Sequence, residues 1–597
     1  MSDAPVFVAL TAEGAALARR LMPDFPGSEL HGLAHRVRDA EHLFTDTMGH
    51  VADLFRSGRA IVGICASGIL IRAVAPHLAD KRNEPPLIAM SADGLTAVPL
   101  LGGHRGANRL ARALADATGG AAALTTAGEI LHGVALDDPP PGWRIANPEA
   151  AKAVMAGIIA GETIGKWGGA AGWLDPLGLK EASADDAHIH VTTRAMAPDS
   201  ATLNFHPPRL VLGVGCERDC APEELIGLAE AALAEAGYAG EAVALVASID
   251  VKADEPAVHA LAAHLGVEAR FLPAEVLEAE TPRLATPSDV VFREVGCHGV
   301  SEGAALASVG AEGSLVVAKR KSKRATIAIA ESPTDIDPRS IGQARGHLAI
   351  VGVGPGAPDW RTGEAARLLR QADEIVGYGF YLDLVADLLG DKPRHSTDLG
   401  AEEARARKAI ELAAQGRRVA LVCSGDAGIY ALATLVWELL DSAAAPGWSR
   451  IAVEVAPGVS ALQAAAARAG APIGHDFCAV SLSDLLTPRE RILARIRAAA
   501  EGDFVTALYN PRSLRRTELI RTVIDIFRAH RPPETPVVVA RSLGRPDEAV
   551  SIVPISEFDP DTIDMMTILL IGASQTRRMR HDGKDVAYTP RGYLSPV

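Results

Sequence analysis

Glycines and small polar residues follow several apolar runs in the last third of the chain, in a pattern that suggests a ligand site. Leu348–Val351 leads into Gly354-Pro355-Gly356, and Val419–Cys423 leads into Ser424-Gly425-Asp426. Two later runs end in Pro457-Gly458-Val459-Ser460-Ala461 and in Tyr509-Asn510. Small residues let the backbone approach a ligand closely, and open α/β sheets bind ligands at the carboxyl ends of their strands. The pattern therefore predicts ligand binding at these turns.

The Gly354-Pro355-Gly356 turn does not fit the common nucleotide-binding motifs. A dinucleotide fingerprint needs three glycines that open a helix and an acidic residue at the end of the second strand. Here Asp373 and Glu374 stand at the start of that strand instead. Pro355 removes one amide that could hold a phosphate, and no Lys-Ser/Thr pair follows to complete a P-loop. A nicotinamide-dependent oxidoreductase is disfavoured, and a tight surface turn remains the alternative for this glycine run alone.

His104 is a second candidate, in the first third of the chain. It follows Gly102-Gly103 and precedes a helix that we expect to start at Ala107 or Asn108. Backbone amides at a helix start favour an anion, and a neutral imidazole can transfer a proton near neutral pH. A capping or packing role for His104 is the structural alternative.

Short β-branched runs alternate with helical stretches along the whole chain. Ala60–Cys65 precedes a helical pattern over 69–79, and Val243–Ile249 precedes one over 255–265. Alternation of this kind predicts a multidomain α/β protein with mostly parallel, buried strands.

Changes in composition divide the chain into four predicted regions. The breaks are the proline run Asp137–Gly142, the proline-containing stretch 195–209, and the polar stretch Ala330–Gly346. The last stretch has few residues able to pack, so we interpret it as an interdomain linker. The predicted regions are 1–140, 141–208, 209–335 and 346–597.

Composition and charge limit the possible partners. The 597 residues carry a net charge of −15, which excludes a global affinity for nucleic acid or for an anionic membrane. No apolar run reaches the roughly 18 residues of a membrane-spanning helix. The six cysteines contain no C-x-x-C pair, so we predict a reduced, cytoplasmic protein without a metal site. The basic run Lys319–Arg324 lacks the aromatic platform of a nucleic-acid site.

Residues 346–597 resemble the class III tetrapyrrole methyltransferases, and within them the precorrin-3B C(17)-methyltransferase family. The residues that carry the resemblance are Pro457–Gln463, Gly474–Cys478, Ser481–Pro488, Ala507–Ser513 and Asp564–Thr567. Ala427 departs from the pattern, because many relatives have proline there. The resemblance implies a two-lobed α/β fold that binds S-adenosylmethionine in the cleft between its lobes. It also implies a tetrapyrrole substrate, with a homodimer as a common assembly.

The resemblance implies cofactor contacts for the turns described above. The Gly354-Pro355-Gly356 turn is expected beside the cofactor. Ser424-Gly425-Asp426 and Ile429 are expected at its amino-acid and ribose portions, and Ser460-Ala461 with Tyr509-Asn510 at its adenine and methionine ends. A sulfonium cofactor with an adenine needs close backbone and a few polar groups, and methyl transfer depends mainly on positioning.

The implied reaction is methylation of the macrocycle at C-17 with contraction of the ring to precorrin-4. Contraction must deprotonate a hydroxyl at the extruded carbon, so a general base is expected. The candidates are His475, Asp476 and Asp484. The alternative for each is a helix cap or a structural hydrogen bond, and Asp484 precedes an apolar pair as a cap would.

Residues 1–330 resemble the cobalt-precorrin-5A hydrolase family of cobalamin biosynthesis, with 141–208 the least similar part. The residues that carry the resemblance include Ile61–Arg72, Leu212–Cys216, Ser248–Glu255, Val300–Ala305 and Ala325–Ala330. The family opens a lactone on the macrocycle. His104, Lys252, Glu255 and Glu302 are the candidate residues, each with a structural alternative. Two hypotheses stay open for this half: a lactone hydrolase, or a catalytically idle module that binds or channels the macrocycle. The sequence also leaves open whether the substrate carries cobalt.

Overall fold

The computed structural model describes residues 4–38, 40–78, 83–197, 201–398, 400–442, 445, 447–513 and 516–593. The chain forms two compact units. The first contains Met1–His347 with the segments Ala413–Arg417 and Ala445–Ala452, and the second contains Leu348–Leu412, Arg418–Ala444 and Val453–Val597. Among the helices of the described residues, none has the length and apolar character needed to cross a bilayer.

The first region is a seven-stranded sheet in the order β3-β2-β1-β4-β5-β6-β7, parallel except between β5 and β6. Its strands are β1 (Val6–Ala9), β2 (Glu29–Leu33), β3 (His42–Phe44), β4 (Ile61–Ile64), β5 (Leu87–Met90), β6 (Thr96–Leu101) and β7 (Ala121–Ala122). Its helices are α1 (Ala12–Leu21), α2 (Thr47–Arg56), α3 (Ser67–Val74), α4 (Ala107–Thr118) and α5 (Ala127–His132). Apolar clusters cover both faces of the sheet, as expected for buried parallel strands.

The second region is a five-stranded sheet in the order β10-β9-β11-β12-β8, in which only β8 is antiparallel to its neighbour. Its strands are β8 (Arg144–Ile145), β9 (Gly165–Gly168), β10 (Lys180–Glu181), β11 (Ile189–Val191) and β12 (Leu203–His206), and its helix is α6 (Ala150–Ile159). Its apolar core includes Trp143 and Phe205.

The third region is a five-stranded sheet in the order β15-β14-β13-β17-β16, with β13, β14 and β15 parallel. Its strands are β13 (Leu210–Cys216), β14 (Val243–Ile249), β15 (Glu268–Leu272), β16 (Ser314–Lys321) and β17 (Ala325–Glu331). Its helices are α7 (Pro222–Ala236), α8 (Pro256–Leu265), α9 (Ala274–Glu278), α10 (Asp289–Val295) and α11 (Val300–Val309). α7 and α8 cover one face, and α11 covers the other.

The polar stretch after this sheet is packed against it, which corrects our expectation that few of its residues could pack. Ile336 and Ile341 contact the apolar cluster on the α11 face. The guanidinium of Arg270 donates to the carbonyls of Ile341 (2.7 Å) and Gly342 (2.9 Å). Gln343 forms an antiparallel bridge with Phe271 on β15. A stretch of polar composition can pack in this way because many of its contacts are made by its backbone.

The chain from 347 onwards begins with a five-stranded sheet in the order β20-β19-β21-β18-β22. Its strands are β18 (His347–Gly352), β19 (Glu374–Tyr378), β20 (Arg394–Thr397), β21 (Arg418–Cys423) and β22 (Ala452–Ala456). Its helices are α12 (Gly363–Gln371), α13 (Gly379–Asp383), α14 (Ala386–Leu389), α15 (Glu402–Ala414) and α16 (Leu432–Asp441). The strands that we predicted before each glycine turn are present.

The last region holds a mixed five-stranded sheet in the order β24-β25-β28-β26-β27 and a three-stranded sheet in the order β23-β30-β29. The strands are β23 (Gly470–Ala471), β24 (Phe477–Ser481), β25 (Val505–Tyr509), β26 (Pro536–Arg541), β27 (Ala549–Pro554), β28 (Thr567–Ile571), β29 (Arg577–His581) and β30 (Lys584–Tyr588). The helices are α17 (Ala461–Ala469), α18 (Arg489–Glu501) and α19 (Glu518–His530). The multidomain α/β class is confirmed, although this sheet is antiparallel between β25, β28, β26 and β27.

Candidate functional site

Three turns meet at the carboxyl ends of β18, β21 and β22. Gly354, with φ of 79°, and Gly425, with φ of 69°, exchange backbone hydrogen bonds of 3.1 and 2.8 Å. Gly458 packs so close that a Cβ there would lie 2.1 Å from the carbonyl oxygen of Gly425. Gly458 leaves no room for a side chain, and the positive φ angles of Gly354 and Gly425 favour glycine, so this end of the sheet presents backbone.

The Gly354-Pro355-Gly356 turn also contacts the loop that follows β26. A Cβ on Gly356 would lie 2.6 Å from the carbonyl oxygen of Leu543. The guanidinium Nε of Arg545 donates to the Pro355 carbonyl at 3.2 Å. The turn is therefore in contact with the mixed sheet that carries Tyr509 and Asn510.

Asp426 connects two of the three turns. Its Oδ1 accepts from the amide of Gly428 (2.8 Å), and its Oδ2 accepts from the amide of Gly458 (3.0 Å). Ser424 beside it is half-buried, and Ile429 is exposed. A carboxylate oxygen has a second lone pair, so Asp426 can accept another hydrogen bond while it holds the turns together.

Ser460 and Tyr509 both support the start of α17. Ser460 is the N-cap and forms a capping box with Gln463, and Ala461 is the first residue of the helix. The phenolic oxygen of Tyr509 accepts from the amide of Leu462 at 3.1 Å, and burial raises the pKa of Tyr509. The ring of Tyr430 lies 5.1 Å from that of Tyr509. Two aromatic rings and a helix start thus border the region next to the three turns.

Arg516 brings Asn510 and Asp484 together. Its guanidinium donates to the Asn510 carbonyl at 2.8 Å and to Oδ1 of Asp484 at 3.3 Å. Asn510 adopts a left-handed conformation, with φ of 49°, and its side chain donates to Ser481 Oγ at 3.2 Å. The Nε of Arg516 is buried without a hydrogen-bond partner among the described residues. Sequence analysis missed Arg516, because nothing in its local pattern distinguishes it from the arginines around it.

The structure does not bring the three predicted general-base candidates into one cluster. His475 and Asp476 precede β24, and Asp484 follows it. A five-residue strand spans roughly 16 Å, so the two groups lie at opposite ends of it. Nδ1 of His475 accepts from the amide of Asp476 at 2.8 Å, and the Asp476 side chain is 80% exposed. The alternative role of Asp484 as a helix cap is wrong, since α18 begins at Arg489 with Pro488 as its N-cap.

Cys423 ends β21 directly before the Ser424-Gly425-Asp426 turn. The thiol is buried, and burial raises its pKa to about 11. At neutral pH it is protonated, so it lines the strand end as a small neutral group.

In the first unit, the predicted helix after His104 is present as α4, which begins at Ala107. His104 lies in a 3-10 turn, Gly103–Arg105, but its side chain is outside the described part of the structure. Glu302 is buried, and its carboxylate accepts from the amides of Thr286 (2.9 Å) and Lys319 (2.8 Å). Burial opposes ionisation, but these hydrogen bonds outweigh it and lower the pKa of Glu302. Glu302 therefore has the contacts of a structural residue.

A histidine cluster that sequence analysis missed lies on β2, β3 and α2. His31 Nδ1 and His50 Nε2 are 2.8 Å apart, and the ring centroids of His31, His42 and His50 lie 5.0 to 5.1 Å from one another. Burial first, and the neighbouring imidazoles second, lower the pKa of His50 to about 4. Across the part of the chain that the structure describes, no group of three or more His, Cys, Asp or Glu residues is arranged to hold a metal ion.

Family models match three parts of the chain. Residues 347–559 match the family of tetrapyrrole (corrin/porphyrin) methylases. Residues 49–129 and 210–330 match the families described as the N-terminal part and the C-terminus of cobalamin synthesis protein G.

Individual relatives match the carboxyl-terminal part of the chain. The precorrin-3B C(17)-methyltransferase of a Sinorhizobium species is 43% identical over 249 residues, which are 42% of this chain and 97% of the relative. The cobalamin biosynthesis protein CobIJ of Mycobacterium bovis is 44% identical over 252 residues, 42% of this chain and 48% of that protein. The chain thus spans about half the length of the mycobacterial relative. The crystal structure of the methyltransferase CobJ is 40% identical, covers 41% of this chain and 100% of that one, and has a TM-score of 0.39.

The resemblance inferred from the sequence is confirmed by the extent of these matches, since nearly the whole of a relative more than 40% identical is covered. The chain belongs to the tetrapyrrole (corrin/porphyrin) methylases.

Proposed function

We propose that the part of the chain from 346 to 597 transfers a methyl group from S-adenosylmethionine to C-17 of precorrin-3B, or of its cobalt counterpart, with contraction of the ring. The observation that carries the proposal is the set of turns that meet at Gly354, Gly425 and Gly458, in a chain whose relatives include precorrin-3B and cobalt-factor III C(17)-methyltransferases. The macrocycle is the proposed substrate, in a pathway of cobalamin biosynthesis.

The hydrogen bonding of the turns favours a ligand without phosphates. The amides of Gly354 and Gly425 donate to each other's carbonyls, and those of Gly428 and Gly458 donate to Asp426. These amides are therefore not available to hold a phosphate. A nucleoside-containing sulfonium fits such a surface, because it needs close approach and a few polar contacts.

The proposed cofactor contacts follow from this surface. Gly354, Pro355 and Gly356 would lie beside the cofactor, and Ser424, Gly425, Asp426 and Ile429 would face its amino-acid and ribose portions. Ser460, Ala461, Tyr509 and Asn510 would border the rest of it. When bound, the cofactor supplies an electrophilic methyl group, and the protein's task is to hold donor and acceptor in line.

Ring contraction requires a proton acceptor, and Asp484 is the candidate best placed for it. It lies at the same strand end as Asn510 through Arg516, whereas His475 and Asp476 lie at the other end of β24. We propose Asp484 as the base and retain His475 and Asp476 as the candidates to be compared with it.

The test is methyl transfer by the intact chain. The chain is incubated with S-adenosylmethionine labelled in its methyl group and with precorrin-3B or its cobalt counterpart, and the product is identified by mass spectrometry. Addition of one labelled methyl group together with ring contraction supports the proposal, and the arm that reacts identifies whether cobalt is required. Absence of transfer in both arms would refute it.

For the first unit, we propose opening of the macrocycle's lactone, in keeping with the two matches to cobalamin synthesis protein G. A macrocycle-binding module without catalysis is the second candidate. Incubation of the intact chain with a lactone-bearing cobalt-precorrin, without S-adenosylmethionine, separates them. Release of the two-carbon aldehyde indicates a hydrolase, and tight binding without release indicates the binding module.

A further inference from the structure

The third region has a cluster of charged residues at the carboxyl ends of its parallel strands. β13 ends in Cys216, and β14 is followed by a 3-10 turn, Asp250–Lys252, and then by α8, whose N-cap is Glu255. This edge of an α/β sheet is the usual place for a ligand. It belongs to a different sheet from the methyltransferase turns, so it would be a second site.

Glu255 is a buried carboxylate that the described contacts do not fully satisfy. It is 1% exposed, and its Oε1 has no hydrogen-bond partner among the described residues. Its Oε2 lies 3.6 Å from Nζ of Lys252 and 3.8 Å from Nη1 of Arg218. Burial of a carboxylate without such neighbours would be unfavourable in free energy, so the two cations stabilise Glu255 in its buried position.

The two cations differ in how far their donors are used. Arg218 donates to Oδ1 of Asp254 and to the carbonyl of Val251, both at 2.6 Å. Lys252, in contrast, donates no hydrogen bond within the described part of the chain, and its side chain is 13% exposed. Lys252 therefore keeps donors for a ligand at a point that solvent can still reach.

The thiol next to this pair, Cys216, favours its protonated form. Burial, opposed by the nearby Lys252 ammonium, raises the pKa of Cys216 to about 11, so it is protonated at neutral pH. Arg218 faces Asp254, and Lys252 faces Glu255. One free ammonium among carboxylates suits a carboxyl-derived oxygen better than a phosphate, whose several negative oxygens would face those carboxylates.

We propose that Lys252 is the ligand-contacting residue of a second macrocycle site in this region, and that Glu255 is its positioning residue. The Lys252 ammonium donates to a carboxyl-derived oxygen, either a free carboxylate or a lactone carbonyl. This inference rests on the proposed function, because it takes the macrocycle as the ligand.

The test uses the intact chain and amine acetylation followed by peptide mass spectrometry. Labelling of Lys252 is measured with and without uroporphyrin, which carries free carboxylates, and with and without a lactone-bearing tetrapyrrole. With ligand at about ten times its Kd, labelling of Lys252 should fall roughly tenfold. Lys152, an exposed lysine on α6, is the internal control and should not change. Protection by either ligand supports the site and identifies the group bound, and no protection by either overturns it.

Calorimetry on variants gives a second readout that does not depend on labelling. Lys252→Met should lose one equivalent of bound uroporphyrin, and Lys252→Arg should retain it, because arginine still donates. Lys152→Met is the matched control. Unchanged stoichiometry in Lys252→Met would overturn the site. Absence of methyl transfer in the wild-type chain would refute the proposed function, while the labelling result still decides this inference.

Discussion

At the scale of single residues, Asp426 has a structural role at the turns that we propose to bind the cofactor. Each of its carboxylate oxygens accepts a hydrogen bond from a backbone amide, so Asp426 fixes the turns after β21 and β22 relative to each other. A polar ligand at these turns would meet a carboxylate whose position is already set. Preorganisation of this kind lowers the cost of ordering the site on binding.

We expect Asp426→Ala to weaken S-adenosylmethionine binding by about tenfold or more, since loss of a partly buried hydrogen-bonding group costs about 1–3 kcal/mol. Asp476→Ala is the matched control and should leave the Kd unchanged, because that side chain is 80% exposed. The measurement is calorimetric titration of both variants. Equal dissociation constants for the two variants would contradict the placement of Asp426 at the cofactor.

For the candidate site, the residue types and their positions at strand ends could be predicted from the sequence, but the distances between their side chains could not. Gly354, Gly425 and Asp426 follow strands at the same sheet edge, so their proximity follows from the topology. Asp484 and His475 are close in sequence, yet β24 separates them, and only the strand boundaries show this. The contact of Arg516 with Asp484 depends on how the loop after β25 folds back, and no periodic pattern encodes that.

At the scale of elements, the close packing of the turns explains why glycine is needed at 458. A Cβ there would lie 2.1 Å from the carbonyl of Gly425 and 2.7 Å from that of Gly352. Both obstacles are backbone atoms, which cannot rotate away. Substitution must therefore move a whole turn.

We expect Gly458→Ala to reduce S-adenosylmethionine affinity by at least about tenfold, because the three turns can no longer keep their present spacing. Gly363→Ala is the control: Gly363 opens α12, and a Cβ there has nothing within 4 Å. Titration calorimetry, with circular dichroism to confirm folding, compares the two. An unchanged Kd in folded Gly458→Ala would show that the turns do not form the cofactor surface.

The histidine cluster on β2, β3 and α2 should make the first region sensitive to acid. His50 has a pKa of about 4 in the folded chain, below the ordinary histidine value of 6.5, because of burial and of the neighbouring His31 and His42; Asp53 acts in the opposite direction. Between those two values the unfolded chain binds more protons, so stability is complete above about pH 6.5 and declines as the pH falls towards 4.

Hydrogen exchange of peptides spanning 29–56, measured from pH 7 to pH 4.5 and corrected for intrinsic rates, tests this expectation. Protection should fall with pH in the wild-type chain and fall less in His50→Gln. His264→Gln, which changes an exposed histidine paired with Glu230, should behave as the wild type does. A pH profile that is the same in His50→Gln and the wild type would remove His50 as the cause.

Strands and helices were predictable where buried periodicity was strong, and the contacts between elements were not. β14 and α8 lie where the pattern over 243–265 places them. The cluster of His31, His42 and His50 depends on the register between β2 and β3, which puts His31 opposite His42. The register of two parallel strands is not marked by any local pattern in the sequence, so the cluster could not be predicted. The stretch after β17 was misjudged because its contacts are made by the backbone and by Arg270.

At the scale of the whole molecule, the boundaries of the four predicted regions remain predictions. The packed stretch after β17 allows a precise test of the last boundary. Its contacts are with β15 and the α11 face, within the first unit. Gly346 and His347 belong to the same unit, and they bond to Ala452 (2.8 Å) and Arg417 (3.0 Å). Those partners lie inside 346–597.

We therefore expect a fragment of residues 346–597 to fold and to bind S-adenosylmethionine with a Kd within about threefold of that of the intact chain, a difference of under 1 kcal/mol. A fragment of 330–597 is the control. It should be less soluble, because it exposes Ile336 and Ile341 without the surface that covers them. An insoluble or non-binding 346–597 fragment would show that the boundary is misplaced.

The raised pKa of Cys423 bears on whether its thiol could react with a methyl donor bound nearby. A thiolate is the form of cysteine that attacks electrophiles, and a sulfonium methyl group is an electrophile. Because burial raises the pKa of Cys423 to about 11, the thiol is almost entirely protonated at pH 7. A methyl donor bound at the adjacent turn would therefore meet an inert sulfur, and the chain would be protected from alkylating itself during many catalytic cycles.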